Sequence, residues 1–357
     1  MRTRVTRSRL TRATRTTTAL IAAATLSIGL AACSDSGDGD GSSNGDGDNS
    51  ASADLIETKG TFPQTVSTKF GDVTVDEQPQ RVVALGWGDA GTALALGVQP
   101  VGASDWIDFG GEGVGPWVGE SSNYETTYED APETIDTLEP AFEAIATLDP
   151  DLILDVRSSG DQERYDKLST IATTVGVPDG GDSYLSPREE QVSMISTALG
   201  LAEDGEEINQ RYDEMVAQIR KDHPEGGEEL TASTVSLTSN GWGAYIRGSE
   251  RSDPLLDLGF RENTELAEEE VSDSGFSVTL SDETLSKADS DLIIAFPIGV
   301  TEEELQAKSS WQRLNATQEG HSFVLPKEIS NAYALGSPQA IEYALEEMTP
   351  LLEEHSA

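Results

Sequence analysis

The 357-residue chain has a single cysteine, Cys33, and only three histidines, His223, His321 and His355. One cysteine excludes a disulfide within the chain. The histidines are far apart and belong to no cluster with metal-ligand spacing, which argues against direct capture of zinc or manganese. Basic residues are also scarce, with 23 Lys and Arg against 65 Asp and Glu. A chain this acidic lacks the basic patches that nucleic-acid binding requires, so we expect no nucleic-acid partner.

Long apolar runs are absent as well, so no transmembrane helix is predicted. The most apolar stretch, residues 19–32, is too short to span a membrane. It follows a segment with six arginines and no acidic residue. A cationic segment followed by a short apolar one is typical of a secretory signal peptide. We assign residues 1–32 to this signal.

The signal ends in the tetrapeptide Leu-Ala-Ala-Cys, which contains Cys33. This tetrapeptide resembles the lipobox of bacterial lipoproteins, in which the cysteine is lipidated and becomes the first residue of the mature chain. A plain cleaved signal with an incidental cysteine is the alternative, but a lone thiol is unusual in an oxidising compartment. Residues 33–55 then form a Ser-, Gly- and Asp-rich linker that cannot build a core. We therefore predict an extracytoplasmic protein anchored to the membrane through lipidated Cys33.

Two segments 140 residues apart resemble one another. Residues 143–154 read EAIATLDPDLIL and residues 283–294 read ETLSKADSDLII, with five of twelve positions identical. Each predicts a short amphipathic helix, an Asp-x-Asp turn and a buried strand. Similar αβ units also arise by chance, but we favour two related α/β lobes.

A long helix is predicted between these segments, because apolar side chains recur there at helical spacing. Ile208, Tyr212, Met215, Val216 and Ile219 form one stripe. A helix of about 20 residues is roughly 30 Å long and could run along two lobes. We therefore predict an N-terminal lobe over 56–200, an interlobe helix over 201–222 and a C-terminal lobe over 223–357.

Three stretches in register resemble the iron–siderophore substrate-binding lipoproteins of ABC importers, which are class III periplasmic binding proteins. They are 79–106, a buried strand running into a glycine turn; 138–155, with its Asp-Pro-Asp-Leu-Ile-Leu strand; and 311–352, with Ser337-Pro338. The resemblance implies an α/β fold with two Rossmann-like lobes, a single long helix joining them and a ligand cleft between. It also implies a monomeric receptor, not an enzyme. Such a receptor delivers a ferric siderophore to an importer permease and its ATPase, and needs no cofactor because the siderophore carries the iron.

Aromatic and arginine side chains in the loops that follow predicted strands are the candidates for ligand contact, because open α/β lobes bind ligands beyond the carboxyl ends of their strands. Aromatic rings would contact a siderophore backbone, and arginine would stack on or hydrogen-bond its oxygen atoms. Any one aromatic could instead pack in a core, as we expect for Trp311. Arg251 ranks below Arg157 because it could simply pair with Asp253. The predicted ligand contacts are Trp87, Trp106, Trp117, Arg157, Tyr184, Trp242, Tyr245, Arg247 and Tyr333.

Few basic side chains can be placed near the predicted cleft, and their number indicates the type of siderophore. A triply anionic catecholate siderophore calls for several converging cations, whereas only Arg157 and Arg247, with Arg251 as a third, can be placed near the cleft. Without the signal, 17 basic residues face 65 acidic ones, a net charge of −48. This favours a neutral or cationic hydroxamate.

Two other functions stay open on the same fold. One is a receptor for cobalamin or haem, with Tyr184, Tyr245 and Tyr333 as candidate axial ligands for haem. The other is a secreted metal-dependent enzyme or chelatase. The chain has no Gly-x-Ser-x-Gly elbow and no phosphate-binding loop, which disfavours the enzyme.

Glu143 and Glu283 occupy the same position in the two repeated segments, near the first turn of each predicted helix. The helix dipole alone favours a carboxylate there. The resemblance implies a further role, in which these glutamates dock on permease arginines, one from each lobe.

Overall fold

The computed structural model describes residues 60–104, 115, 117, 124, 127–222 and 229–355. The predicted signal, Cys33, the whole linker and Trp106 lie outside the described residues. No helix within the described ranges is both long and apolar enough to cross a lipid bilayer.

The N-terminal lobe is a parallel five-stranded sheet with helices on both faces and a small antiparallel hairpin at its start. The order across the sheet is β5-β4-β3-β6-β7, and every pairing within it is parallel. The elements are β1 (Gln64–Thr68), β2 (Gly71–Val75), β3 (Val82–Ala84), α1 (Asp89–Ala95), β4 (Gly102–Ser104), β5 (Glu133–Ile135), α2 (Phe142–Thr147), β6 (Leu152–Leu154), α3 (Gln162–Ser169), β7 (Thr173–Val175) and α4 (Arg188–Ala198).

The two faces of this sheet bury alternate residues, as the pleat requires. Val82 and Ala84 of β3 pack with α1 and α4, through residues such as Leu94 and Ile195. Val83, between them, belongs to the opposite core that also contains residues of α2 and α3. Burial on both faces explains why these strands consist of continuous apolar residues.

The C-terminal lobe has a six-stranded mixed sheet. Its order is β11-β9-β8-β12-β13, with β10 paired to β8; β8, β12 and β13 are parallel, and β9 and β11 are antiparallel additions. The elements are β8 (Thr231–Thr238), β9 (Gly241–Tyr245), α6 (Asp253–Asp257), β10 (Arg261–Glu262), α7 (Thr264–Ala267), β11 (Ser277–Leu280), a 3-10 helix (Leu285–Ala288), β12 (Leu292–Pro297), α8 (Glu302–Gln306), α9 (Ser309–Gln312), α10 (Asn315–Glu319), β13 (Ser322–Val324), α11 (Lys327–Leu335) and α12 (Pro338–His355).

Helix α5 (Ala202–Asp222) joins the lobes, as predicted from its apolar stripe. Ile208, near its start, packs with Val192 of the N-terminal lobe. One turn later, Tyr212 and then Val216 pack in the C-terminal core. The two halves of one rigid helix are therefore anchored in different lobes, which restricts how far the lobes can move apart.

The predicted internal repeat has a structural counterpart in both lobes. Asp151, before β6, accepts hydrogen bonds from the backbone N–H groups of Gln80 (2.7 Å) and Arg81 (2.9 Å) at the entry to β3. Asp291, before β12, accepts one from the N–H of Thr231 (2.7 Å) at the start of β8. The second aspartate of each Asp-x-Asp turn thus fixes the register of the neighbouring parallel strand.

Candidate functional site

A cavity of about 450 Å³ opens where three strands end at their carboxyl edge. Trp87 follows β3, Thr238 ends β8 and Ile298 follows β12. This is the edge at which open α/β sheets bind ligands. The walls are formed by Trp87, Ser236, Thr238, Asn240, Gly241, Trp242, Gly243, Tyr245, Arg251, Ser272, Asp273, Ser274, Phe276, Ser277, Thr279 and Ile298.

Aromatic rings from both lobes meet at this cavity. Trp87 and Tyr184 of the N-terminal lobe are stacked, with ring centroids 3.9 Å apart. The Phe276 ring of the C-terminal lobe is roughly perpendicular to the ring of Trp87, at 5.6 Å, and to that of Tyr184, at 6.2 Å. Tyr245 continues the array, stacked on Phe276 at 6.3 Å. The cluster is a rigid apolar surface of the kind that holds the body of a large organic ligand.

Arg251 places a positive charge among these rings. Its guanidinium carbon lies 5.1 Å from the ring centroid of Tyr245, 5.5 Å from that of Trp87 and 5.9 Å from that of Phe276. The side chain is almost fully buried. Burial lowers the pKa of Arg251, while Tyr245 and Glu250 favour its charged form. Arginine held over aromatic faces is oriented for a ligand oxygen.

The turn that carries Trp87 is held by two buried polar side chains. The Gln191 amide donates to the Trp87 carbonyl (2.8 Å) and to the Asp89 carboxylate (2.6 Å). Asp89 also accepts from the Val156 N–H at 2.8 Å, and burial raises the pKa of Asp89 to about 6. Gly86 is required here, because a Cβ would lie 2.3 Å from an Asp89 oxygen.

Tyr184 is held in a backbone conformation that non-glycine residues rarely adopt. Its φ is 63°, and Ser183 before it has a φ of 56°. Their N–H groups donate to the carbonyls of Ser158 (2.8 Å) and Ser159 (3.1 Å), so the loop is tied to the segment after β6. Left-handed non-glycine residues cluster at functional sites, where surrounding contacts offset the strain.

Arg157 does not line the cavity, contrary to the prediction that it contacts ligand. Its side chain is 1% exposed and forms an ion pair with Glu250 (3.0 Å) in the other lobe. It also donates to the Leu335 carbonyl. The reason is its position three residues after buried strand β6, where its carbonyl accepts from the Trp87 N–H and its side chain extends to the other lobe. There it joins the lobes.

Three other predicted contacts have different placements. Arg247 is exposed and pairs with Glu262 at 3.2 Å. Tyr333 is fully buried on α11, where desolvation raises the pKa of its hydroxyl, so it is no candidate axial ligand. Trp117 is 1% exposed within the C-terminal core and stacks with Tyr343 at 6.4 Å. Burial keeps Tyr333 and Trp117 from a ligand, whereas Arg247 lies outside the cavity walls.

Trp87, Trp242 and Tyr245 line the cavity, and Tyr184 backs it. Trp242 and Tyr245 were predicted to lie in a loop, but both lie on strand β9. Trp311 is in the core, as predicted, and stacks on Trp242 at 6.2 Å.

Arg251, ranked below Arg157 in the sequence analysis, lines the cavity, and so does Phe276, which was not predicted. Asp253 accepts from the Gly248 N–H at 2.8 Å, while the Arg251 guanidinium lies over the aromatic rings of the cavity. The alternation of Phe276 with Val278 and Leu280, both buried, was the available signal for a strand reaching the site.

Glu143 and Glu283 are both exposed, one on each lobe. Glu143 lies in the first turn of α2. Glu283 lies in the turn before the 3-10 helix, where its N–H donates to the Ser281 hydroxyl at 3.2 Å. Both are therefore accessible to a partner.

Three larger hollows have less suitable linings. One of about 480 Å³ lies beside α2 and α3, where Glu139, Asp161 and Glu163 contribute acidic groups to the wall. One of about 540 Å³ lies beside α5, where Arg188 already stacks on Tyr212 at 3.6 Å and the Tyr212 hydroxyl donates to Asp257. One of about 610 Å³ lies behind Trp242, near Glu283. In the described part of the chain, no three His, Cys, Asp or Glu residues are grouped closely enough to hold a metal ion.

A family model described as periplasmic binding protein matches residues 82–329, which is more than half of the chain and includes most of both lobes. The chain belongs to the periplasmic binding protein family. Solved structures with the same fold include a periplasmic solute binding protein from Mycobacterium smegmatis, 26% identical, with a TM-score of 0.68 over 82% of this chain and 98% of that one.

The iron uptake ABC transporter substrate-binding protein PiaA from Streptococcus pneumoniae is also similar. Its complex with ferrichrome is 27% identical, with a TM-score of 0.67 over 81% of this chain and 97% of that one. A Bacillus subtilis protein, YhfQ, named as an ABC transporter substrate-binding lipoprotein, is 30% identical over 119 residues. That match spans 31% of this chain and about a third (32%) of the length of YhfQ.

These periplasmic binding proteins are transport proteins and not enzymes, and this protein is a binding protein of the same kind. The family and the lipoprotein relative give it an extracytoplasmic location. The iron–siderophore resemblance read from the sequence agrees with these neighbours.

Proposed function

We propose that this protein binds a ferric siderophore of the hydroxamate type in the 450 Å³ cavity and delivers it to an ABC importer. The cavity carries the proposal. Aromatic rings of both lobes and many hydroxyls form its walls, and Arg251 is the one basic residue among the described residues that line it. The ferrichrome complex of PiaA, at 27% identity, supports the same ligand class.

The charge of the walls favours a neutral complex. Among the described wall residues, a triply anionic ferric catecholate would face Asp273 and a single arginine. Bringing that charge into a cavity with one cation leaves most of it uncompensated, which is costly in a partly desolvated site. A ferric tris-hydroxamate is uncharged at its metal centre, so it needs hydrogen-bond donors more than cations.

We expect a ferric hydroxamate to quench tryptophan fluorescence saturably, because Trp87 and Trp242 line the cavity. A sub-micromolar Kd corresponds to about 8 kcal/mol or more of binding free energy. Fluorescence titration with ferric hydroxamates, ferric catecholates, haem and cobalamin measures the Kd of each. The iron-free hydroxamate is the control and should bind more weakly, since the metal preorganises the ligand. Saturable binding of haem or cobalamin, with no response to ferric hydroxamates, would contradict the proposal.

The membrane anchor is the second part of the proposal. Lipidation of Cys33 is supported by the Leu-Ala-Ala-Cys tetrapeptide and by the lipoprotein relative. We expect Cys33→Ala to move the protein from the membrane fraction to the soluble fraction of expressing cells, because each lipid chain contributes about 0.8 kcal/mol per buried methylene. Fractionation and immunoblotting measure this, and Ser34→Ala is the control. A Cys33→Ala protein that is processed normally and still sediments with membranes would exclude the anchor.

Delivery to the permease is the third part. The exposed Glu143 and Glu283, at equivalent positions of the two lobes, are the proposed docking residues. We expect the double variant Glu143→Ala/Glu283→Ala to bind siderophore normally but to reduce cellular uptake of ⁵⁵Fe-siderophore strongly. Each exposed ion pair contributes only about 0–1 kcal/mol. The variant should therefore lose the correct orientation of the receptor on the permease more than the strength of their binding. Glu133→Ala/Glu207→Ala, on other exposed acids, is the matched control. Normal uptake by the Glu143/Glu283 variant would rule out docking.

A further inference from the structure

One short loop of the C-terminal lobe, residues 272–277, reaches across to the N-terminal lobe at the cavity; we call it the strap. Gly275 lies against Ser183 so closely that a Cβ on Gly275 would be 2.3 Å from the Ser183 Cβ. The Phe276 ring packs roughly perpendicular to the rings of Trp87 and Tyr184. The strap therefore contacts the N-terminal lobe at two consecutive residues.

The backbone of the strap closes on itself. The Ser272 N–H donates to the Ser277 carbonyl at 2.8 Å, and the Gly275 N–H donates to the Ser272 carbonyl at 2.9 Å. Gly275 has a φ of 83°, which suits glycine. The tight turn is thus formed by main-chain hydrogen bonds, and serine side chains are not needed to close it.

The three serine hydroxyls of the strap form a triangle. The Ser272 and Ser274 oxygens are 2.8 Å apart, and each is 3.2 Å from the Ser277 oxygen. All three residues line the cavity. A hydroxyl has one hydrogen and two lone pairs and rotates freely, so a ring of three can turn its hydrogens towards an arriving acceptor.

We propose that the strap is a ligand-recognition element, in which the hydroxyls of Ser272, Ser274 and Ser277 donate hydrogen bonds to oxygen atoms on the periphery of the bound ligand. This rests on the proposed function and deepens it. The hydroxyls are uncharged, so they suit the carbonyl and hydroxamate oxygens of a neutral complex. The contacts of Gly275 and Phe276 with the other lobe hold the triangle against the ligand.

The test compares Ser272→Ala/Ser274→Ala/Ser277→Ala with wild type in the ferric-hydroxamate titration. Loss of up to three neutral hydrogen bonds should raise Kd about 10- to 100-fold. The melting temperature should stay unchanged, because the turn keeps its backbone bonds. Ser67→Ala, on the distant hairpin β1–β2, is the control and should leave Kd unchanged.

Two further measurements separate ligand contact from a merely structural role. Hydrogen exchange of the amides in the strap should slow when ferric hydroxamate is added to the wild type. Phe276→Leu, which keeps all three hydroxyls, should raise the dissociation rate several-fold in stopped-flow fluorescence.

The outcomes distinguish the two proposals. If wild type binds no ferric siderophore, the proposed function fails and the strap proposal fails with it. If wild type binds and the triple variant has a Kd within twofold, or the strap amides exchange at the same rate with and without ligand, the strap proposal alone is overturned. A large rise in Kd with unchanged melting supports it.

Discussion

Arg157→Met should lower the free energy of unfolding by about 3–5 kcal/mol, because it leaves the carboxylate of Glu250 buried without its partner. The Arg157–Glu250 pair joins the segment after β6 to the segment before α6, at 3.0 Å, with side-chain exposures of 1% and 10%. Burial lowers the pKa of Arg157 and raises that of Glu250, while each group's charge favours the charged form of the other. Urea denaturation followed by circular dichroism measures the loss.

The double variant Arg157→Met/Glu250→Leu is the control for this prediction. Replacing both ions by apolar side chains removes the unpaired charge, so most of the stability should return. Equal losses in the single and double variants would show that packing, and not the uncompensated carboxylate, accounts for the effect. A loss below about 1 kcal/mol in Arg157→Met would be that of a surface ion pair and would contradict the buried pairing.

This pair also changes how binding data should be interpreted. The Arg157 carbonyl accepts from the N–H of Trp87, and Glu250 precedes Arg251; Trp87 and Arg251 both line the cavity. Weaker siderophore binding by Arg157→Met would therefore report displacement of Arg251 and of the lobes. Only variants of wall residues test ligand contact directly.

Hydrophobic patterns predicted most of the scaffold. Continuous apolar strands such as β6, and the stripe of α5, followed from burial, which dominates both elements. The Asp-x-Asp repeat likewise corresponds to Asp151 and Asp291, each bonded to the entry of a neighbouring strand. These are local features, so a single segment of sequence is enough to indicate them.

Strand β9 could not be predicted in the same way. Its sequence Gly-Trp-Gly-Ala-Tyr has two glycines, which weaken a strand in isolation, and it is stabilised by antiparallel pairing with β8 and β11 on either side. The Asn240-Gly241 pair was the one local sign of a hairpin. Trp242 and Tyr245 were therefore assigned to a loop although they lie on a strand.

The roles of the arginines depend on contacts between lobes. Arg157 meets Glu250, which is 93 positions later in the chain, and nothing in either local sequence indicates that pairing. Arg251 and Arg247 stand four positions apart in one segment, yet one is buried among aromatic rings and the other is exposed. Spacing alone could not rank them.

Arg251→Ala should weaken binding of the ferric hydroxamate about 100-fold, whereas Arg247→Ala should leave it within twofold. Arg251 is a buried arginine among aromatic rings on the cavity wall, the kind of residue whose truncation costs about 2 kcal/mol or more in an interface. Arg247 is exposed and bonded to Glu262, outside the walls. The two variants remove the same charge from the same segment, so a difference between their ligand affinities is due to the position of the arginine.

Arg251→Lys refines this prediction. Lysine keeps the positive charge but not the planar fork that stacks on Trp87 and Tyr245, so we expect an affinity between those of wild type and Arg251→Ala. Calorimetry gives the three affinities, and melting temperatures identify any variant that fails to fold. If Arg251→Lys binds as wild type does, charge alone accounts for the contact. Equal affinities of the Arg251→Ala and Arg247→Ala variants would mean that the ligand does not occupy this cavity.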